Sequence, residues 1–336
     1  MKYRVCLSFV LCAAFISPDA GAENLIPAPS GGSDPLNALH KKAAAYARQF
    51  YEFNSLPFGL SLDVGSAKEE NRKLITDFFS QEKSFEEFSG KHAFEVIDGY
   101  GEYGDIGMFA GIATAATAYE YMFLRDSGGS EVEVKAARER LIRAMESWHI
   151  YTDITGGKGG ISRGIMRIKP ENPDDPPIPG GIPEIIPLFD EKGNPLPTGK
   201  HAVWREDLTG KYPDWIWEDD TSKDQTDGFI FALGVLWDAV AEGAAIPQGL
   251  KDTLQEDAKK IAARLMEKVD YNGEMLDLVI IDADGRKVTF HDLNPRIFEG
   301  VVIPEDYEIK NGFNATLALH VIRTLYHVSG DEAIGK

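Results

Sequence analysis

The chain has 336 residues, 43% of them hydrophobic and 10% aromatic, which is the profile of a globular protein with a large core and excludes disorder as its main state. Acidic side chains number 54 against 35 basic ones, for a formal charge of -19. Nucleic acids and anionic membranes are poor partners for such a chain, because phosphate binding draws on clustered Lys and Arg; a neutral or cationic ligand fits better.

In chain order, the first element is a basic start (Lys2, Arg4), an apolar stretch from Val5 to Ile16 and a small-residue exit, Ala20-Gly21-Ala22. This is the pattern of a secretory signal peptide over residues 1–22, so the protein is expected to be exported, to the periplasm or beyond the cell. The apolar stretch falls short of the roughly 20 residues a spanning helix needs, and nothing later is longer, so no membrane span is expected. Cys6 and Cys12 both lie in this segment. A chain cut after Ala22 keeps no thiol, which excludes disulfides and thiolate metal sites. Leu11 is bulkier than the residue that lipid attachment at Cys12 prefers.

Residues 23–336 read as a single domain. After a Pro/Gly/Ser-rich lead, Pro35 to Phe53 has apolar residues near helical spacing, with Asp34 as its cap. Clear helical runs follow at Asp105 to Arg125, Glu131 to Tyr151, Asp224 to Ala241, Pro247 to Val269 and Gly312 to Val328. A Pro-rich insertion occupies residues 169–213. Leu276 to Leu293 predicts a β-hairpin turning at Asp284-Gly285.

Three times a polar or glycine-containing loop feeds an apolar, small-residue helix, and two of these are followed by a charged amphipathic one. The first kind (Phe109 to Met122, Phe229 to Val240, Phe313 to Tyr326) is apolar round most of its circumference, which predicts burial on all sides. The second kind (Val134 to Trp148, Leu250 to Met266) is two-faced, as on an outer ring. Alternating inner and outer helices define an all-α dominated (α/α) toroid with a β-hairpin and long loop insertions, in which the loops entering the inner helices meet at one mouth. A generic helical bundle with long loops is the alternative. The third inner helix lacks an outer partner before the sequence stops, which reads as an incomplete ring or a truncated piece.

Several short motifs match known patterns without their context. Gly99-Tyr-Gly-Glu-Tyr-Gly104 satisfies the dinucleotide fingerprint after a possible strand, Ala93 to Ile97, but Glu102 and Asp105 set negative charge where pyrophosphate would lie. A glycine loop leading into a helix capped by Asp105 is the simpler reading. Gly160-Ile-Ser-Arg-Gly164 satisfies the serine-nucleophile elbow, yet the prolines from Pro170 onward forbid the helix that must follow Ser162. His320 and His327 lack the further ligands zinc needs, and Asp282-Ala-Asp-Gly285 lacks the calcium-loop glutamate, so it reads as a turn. Asn314-Ala-Thr316, a formal glycosylation acceptor, falls inside a helix expected to be buried. No metal and no cofactor is called for.

The densest chemistry lies at Trp215-Ile-Trp-Glu-Asp-Asp-Thr-Ser-Lys-Asp-Gln-Thr-Asp227, with two indoles and five carboxylates just before an inner helix. A structural role explains part of it: Ser222 and Gln225 form a capping box, and Asp224 and Asp227 suit the positive end of the helix dipole. Glu218, Asp219 and Asp220 are not needed for capping, and crowding should raise the pKa of one carboxyl, as a general acid requires. Trp215 and Trp217, with Trp204 as a possible third, offer flat faces for sugar rings. Asp105 opens the first inner helix and would come to the same mouth as Asp220 and Asp224. A carboxylate pair across a cleft is the equipment of glycoside hydrolysis. Arg163 and Arg167 could hold an acidic sugar or pair with surface acids.

The stretches Tyr103-Gly-Asp-Ile-Gly-Met-Phe-Ala-Gly111, Asp153-Ile-Thr-Gly-Gly-Lys-Gly-Gly-Ile-Ser-Arg163, Asp219-Asp-Thr-Ser-Lys-Asp-Gln225 and Asn311-Gly-Phe-Asn-Ala-Thr-Leu-Ala-Leu319 together resemble exported bacterial proteins of the six-hairpin glycosidase-like superfamily. The resemblance spans roughly Asp98 to Asp331 and implies the toroid. It carries over no catalytic role, since no signature of a characterised glycosidase family is matched residue by residue. The resulting expectation is an exported glycoside hydrolase acting on a poly- or oligosaccharide, with Asp105, Asp220 and Asp224 as acid and base and Trp215, Trp217, Arg163 and Arg167 binding substrate. A polysaccharide lyase of the same architecture and a noncatalytic glycan-binding or envelope scaffold protein are the alternatives.

Overall fold

The computed structural model describes residues 35–196, 200–241, 245–298 and 300–335. The predicted signal peptide with Cys6 and Cys12, the lead after it and the Asp34 cap lie outside the described residues. The chain divides at Ala44, and Ala45–Lys336 forms one compact unit. No helix among the described residues is long and apolar enough to cross a membrane.

Helices dominate, with small sheets between them. Helix α1 (Pro35–Gln49) starts on a proline, whose fixed φ suits a first helical position, and runs into one π-helical turn, Phe50–Asn54. Strand β1 (Asp63–Gly65) comes next, then α2 (Glu69–Phe78) and α3 (Phe85–Ser89), which Ser84 and Glu87 open with a capping box and Gly90 closes in the left-handed conformation. Phe53, Phe78 and Phe85 meet edge to face, 4.8 to 5.8 Å apart, as the centre of a small separate core. The expected strand at Ala93 to Ile97 is instead a 3₁₀ turn, Ala93–Glu95, closed by His92 and Glu95, because Phe94, Val96 and Ile97 fill that core rather than alternate across a sheet. The strand in this region is β2 (Gly99–Gly101), antiparallel to β1.

The main core is built on five helices: α4 (Ile106–Asp126), α5 (Glu131–Asp153), α6 (Lys223–Val240), α7 (Gln248–Met266) and α8 (Gly312–Ser329). In chain order the intervening strands are β3 (Gly164–Arg167), β4 (Trp204–Glu206), β5 (Trp215–Glu218), β6 (Val269–Tyr271), β7 (Glu274–Leu276), β8 (Val279–Ile281), β9 (Lys287–Asp292), β10 (Ile297–Phe298) and β11 (Val301–Val302). Helix α6 is central, packed against α4 on one side and α8 on the other; α5 rests on α4 and α7, and α7 on α8. A capping box of Ser130 and Glu133 starts α5, and Gly330 ends α8.

Helices α4 and α6 touch backbone to backbone. A Cβ on Gly111 would stand 2.3 Å from the Gly228 carbonyl oxygen, and one on Gly228 2.5 Å from that of Gly107. The small residues of these runs therefore serve a close crossing. They do not produce burial on all sides: Phe109, Ile112, Tyr119 and Phe123, spaced along one face of α4, are each more than half exposed, as are Phe313 and Leu319 on α8. The opposite face of α4, with Ala110, Thr114, Ala115 and Ala118, is the one that enters the core.

Strand β5 is the middle of an antiparallel sheet ordered β3-β5-β4, with Gly164 and Trp204 both opposite Glu218, and Arg167 opposite Trp215. Strand β4 comes from the end of the Pro-rich insertion. Strands β8 and β9 form the predicted hairpin, and Gly285 adopts φ 87° at its turn. Ser222 pairs with Phe290, so the hairpin lies along the entry to α6.

Candidate functional site

The loop before α4 is one 3₁₀ turn, Tyr103–Asp105, seated on β3 where Gly164 has no side chain: a Cβ there would come 2.4 Å from the Tyr103 carbonyl oxygen. That contact brings Asp105 to the end of the sheet that carries Arg163 and Glu218. Asp105 does not cap α4 with its side chain. The amide of Met108, in the first turn, donates instead to Gln225 Oε1 on α6 at 2.9 Å, and Gln225 Nε2 donates to Asp105 Oδ1, also at 2.9 Å. The expected Ser222–Gln225 capping box is thus not formed. Gln225 caps the neighbouring helix and holds Asp105 towards Arg163, whose Nη2 lies 4.0 Å from its carboxylate.

Arg163 is fixed from three sides. Its amide donates to the Glu218 carbonyl at 2.8 Å, its own carbonyl accepts from the Tyr151 hydroxyl at 2.8 Å, and its guanidinium reaches the Asp220 carbonyl at 3.5 Å. Beside it, Glu218 Oε2 is buried without a hydrogen-bond partner among the described residues. Burial pushes the Glu218 carboxyl up to about 7; Arg163 and His201 pull against the shift, and Asp219 and Asp105 add to it. Burial, more than crowding, is what raises this acid. The exposed carboxyl of Glu102 is also held up, by its hydrogen bond to Asp105.

The other carboxylates of the cluster are committed elsewhere. Asp219 is buried against Arg205, with Nη2 at 2.6 Å and Nε at 2.7 Å, and accepts from the Val203 amide. Asp220 takes a left-handed backbone, φ 62°, and its amide donates to the buried Asp282. Its carboxylate accepts from the Thr289 amide at 2.6 Å and hydroxyl at 2.7 Å and pairs with His201. Burial opposes its charge, but Thr289 and His201 outweigh it and hold the carboxyl below its usual range. Asp220 therefore pins the hairpin to the sheet rather than supplying a proton. Asp224 is exposed on the first turn of α6, takes a hydrogen bond from the Ser222 hydroxyl, and lies near Asp227, which His320 faces. Of the three predicted catalytic residues, Asp105 has its carboxylate in the Arg163–Glu218 cluster and Asp220 joins through its main chain. Among the described residues no hydrogen bond or ion pair ties Asp224 to that cluster.

The predicted sugar platforms are core residues. Trp217 is 0% exposed and its indole N–H donates to the Glu206 carbonyl; Trp215 is 9% exposed, edge-on to Phe58 with Arg167 over its ring. Both faces of β5 are covered, so neither ring is open to a sugar. Trp204 packs edge-on against Tyr103. Arg167 sits at the far end of β3 from Arg163, near Glu171, four residues of strand or about 13 Å away. Ser162 is fully buried and donates to the Tyr151 carbonyl, which accounts for the glycine-flanked serine as a helix-end contact. Asn314 is fully buried, and His320 and His327 face different carboxylates, Asp227 and Asp238. Among the described residues no group of three or more His, Cys, Asp or Glu side chains could hold a metal ion.

Residue patterns did not single out His201 or Thr289, and they named Glu218 only as one of three crowded carboxylates and Gln225 only as a capping residue. Glu218 had a usable signal for its burial: it directly follows the apolar run Trp215-Ile-Trp, the mark of a strand covered on both faces. Comparison with family models, with curated proteins and with solved structures found no match to this chain.

Proposed function

We propose that the protein is an exported glycoside hydrolase of the (α/α) toroid type, with Glu218 as general acid and Asp105 as its carboxylate partner. The observation that carries this reading is a buried carboxyl, one oxygen unpartnered among the described residues, beside a second carboxylate and an arginine at the entry to two core helices, where burial pushes it up to about 7. The hairpin order of α4 with α5 and of α6 with α7, and the likeness of the loop motifs to the six-hairpin glycosidase-like superfamily, support the architecture.

In the reaction, Glu218 gives its proton to the glycosidic oxygen as the bond from that oxygen to the anomeric carbon breaks. Asp105 either takes a proton from the water that attacks that carbon, or attacks it directly and is released by water in a second step. Arg163 holds Asp105 in place and steadies the charge that Glu218 acquires.

Reducing-end release by the full chain from a panel of neutral and acidic polysaccharides tests this. Glu218→Gln should lower kcat by about 10²- to 10⁴-fold with KM little changed. The wild-type rate should fall as pH rises through about 7, because the acid must be protonated to act. Full turnover in Glu218→Gln, or no release from any member of the panel, refutes the proposal; an unsaturated, ultraviolet-absorbing product would identify a lyase instead.

A further inference from the structure

Next to this cluster, the β8–β9 hairpin, Phe298, Gly300 and the first turns of α6 and α8 line an open-sided cavity of about 430 Å³, within the range of roughly 300–1,000 Å³ that small-molecule sites occupy. Thr289 belongs to both places: it lines the cavity, and it holds the carboxylate of Asp220, two residues after Glu218. The walls combine flat apolar surface with polar groups. Phe313 and Phe298 are each more than half exposed, and Tyr271 lies behind them with its ring 5.3 Å from that of His291.

The charge of the polar lining specifies the ligand. His291 is part of the wall: its Nδ1 donates to the Val288 carbonyl and its Nε2 is closed off from solvent. Lys223, the cation in the lining, is already neutralised: its Nζ lies 3.2 Å from Asp292 Oδ1 and 3.3 Å from Asn314 Oδ1, and 5.5 Å from the centre of the Phe313 ring. A carboxylate ligand would therefore meet Asp292 with no spare positive charge to offset it. A ring bearing hydroxyl groups meets none of that repulsion and supplies donors.

We infer that this cavity binds one uncharged sugar ring, stacked on Phe313, with its hydroxyls bridging Lys223 and Asp292. The inference rests on the carbohydrate reading above and narrows it: the substrate is a neutral glycan, not a polyuronate, and the arginines assigned to an acidic sugar are not its ligands.

Calorimetric titration of the full chain with neutral oligosaccharides (cello-, malto-, xylo- and chito-series) and with oligogalacturonate tests it, alongside turnover. A neutral series should bind and oligogalacturonate should not. Phe313→Ala should weaken binding by about tenfold or more, and Glu218→Gln should leave it intact. Phe313 is exposed, so its variant keeps the core, and an unchanged melting curve confirms that. Preference for the uronate, or affinity unchanged in Phe313→Ala, overturns the inference. The two claims fail separately: Glu218-dependent turnover with a KM indifferent to Phe313 refutes the cavity and leaves the hydrolase standing. Phe313-dependent sugar binding without turnover does the reverse.

Discussion

A carboxyl group that keeps its proton to neutral pH burdens the fold that buries it, and Glu218 is placed where it must. Its folded pKa, about 7, stands above the ordinary glutamate value of 4.5. Below 4.5 both folded and unfolded chains hold the proton and the difference contributes nothing; between 4.5 and 7 the unfolded chain ionises freely while the folded one resists, and stability falls as pH rises across that window. Glu218→Gln should thus be more stable than the parent at pH 8, by about 1–3 kcal/mol, with the gap closing by pH 4.5. Urea midpoints at the two pH values measure it. A stability gain coupled to a loss of turnover marks a group retained for chemistry, whereas an ordinary buried contact would lose stability on substitution. At this scale the sequence was partly legible. Five carboxylates between Trp215 and Asp227 stood out as the densest acidic run, but which of them ionises depends on what covers each one. Asp219 met Arg205 from the insertion, Asp220 met Thr289 from the hairpin, and Glu218 met no donor for its buried oxygen.

The helices show a different balance. Periodicity placed α4, α5, α6, α7 and α8 within a few residues of their ends, because a helix is written in neighbours three and four positions apart. Strands of two to four residues, such as β1, β2 and β4, carry too few side chains to show an alternation, and each forms only because a partner strand lies beside it. The apolar run of α4 was legible as a run, but not its direction. Its glycine and alanine face entered the core, and its large residues were left outside, because two helices approach backbone to backbone only through small side chains. That crossing is testable. Gly111→Ala puts a methyl group 2.3 Å from the Gly228 carbonyl oxygen and should force α4 away from α6. The expected loss is about 1–3 kcal/mol or more, read from the denaturant midpoint. Activity should fall further than stability alone explains, since Gln225 would no longer reach Asp105.

For the molecule as a whole, the formal charge of -19 sets a solution property that does not depend on any contact. Like charges spread over one surface repel, and salt at about 0.15 M screens them beyond roughly 8 Å. The melting temperature should accordingly rise between about 0.01 M and 0.15 M sodium chloride, in contrast to a fold held mainly by surface ion pairs, which salt weakens; calorimetric scans at the two concentrations decide it. Length, composition, charge balance, the helical runs and the hairpin turn at Asp284-Gly285 were all readable from the order of residues, since each depends on the chain's overall make-up or on near neighbours. The burial of Trp215 and Trp217, the bond from Gln225 to Asp105 and the raised pKa of Glu218 were not. Those depend on which residue, tens or hundreds of positions away, comes to lie against each side chain, and packing settles that through burial, which is a property of the folded whole and has no local signature.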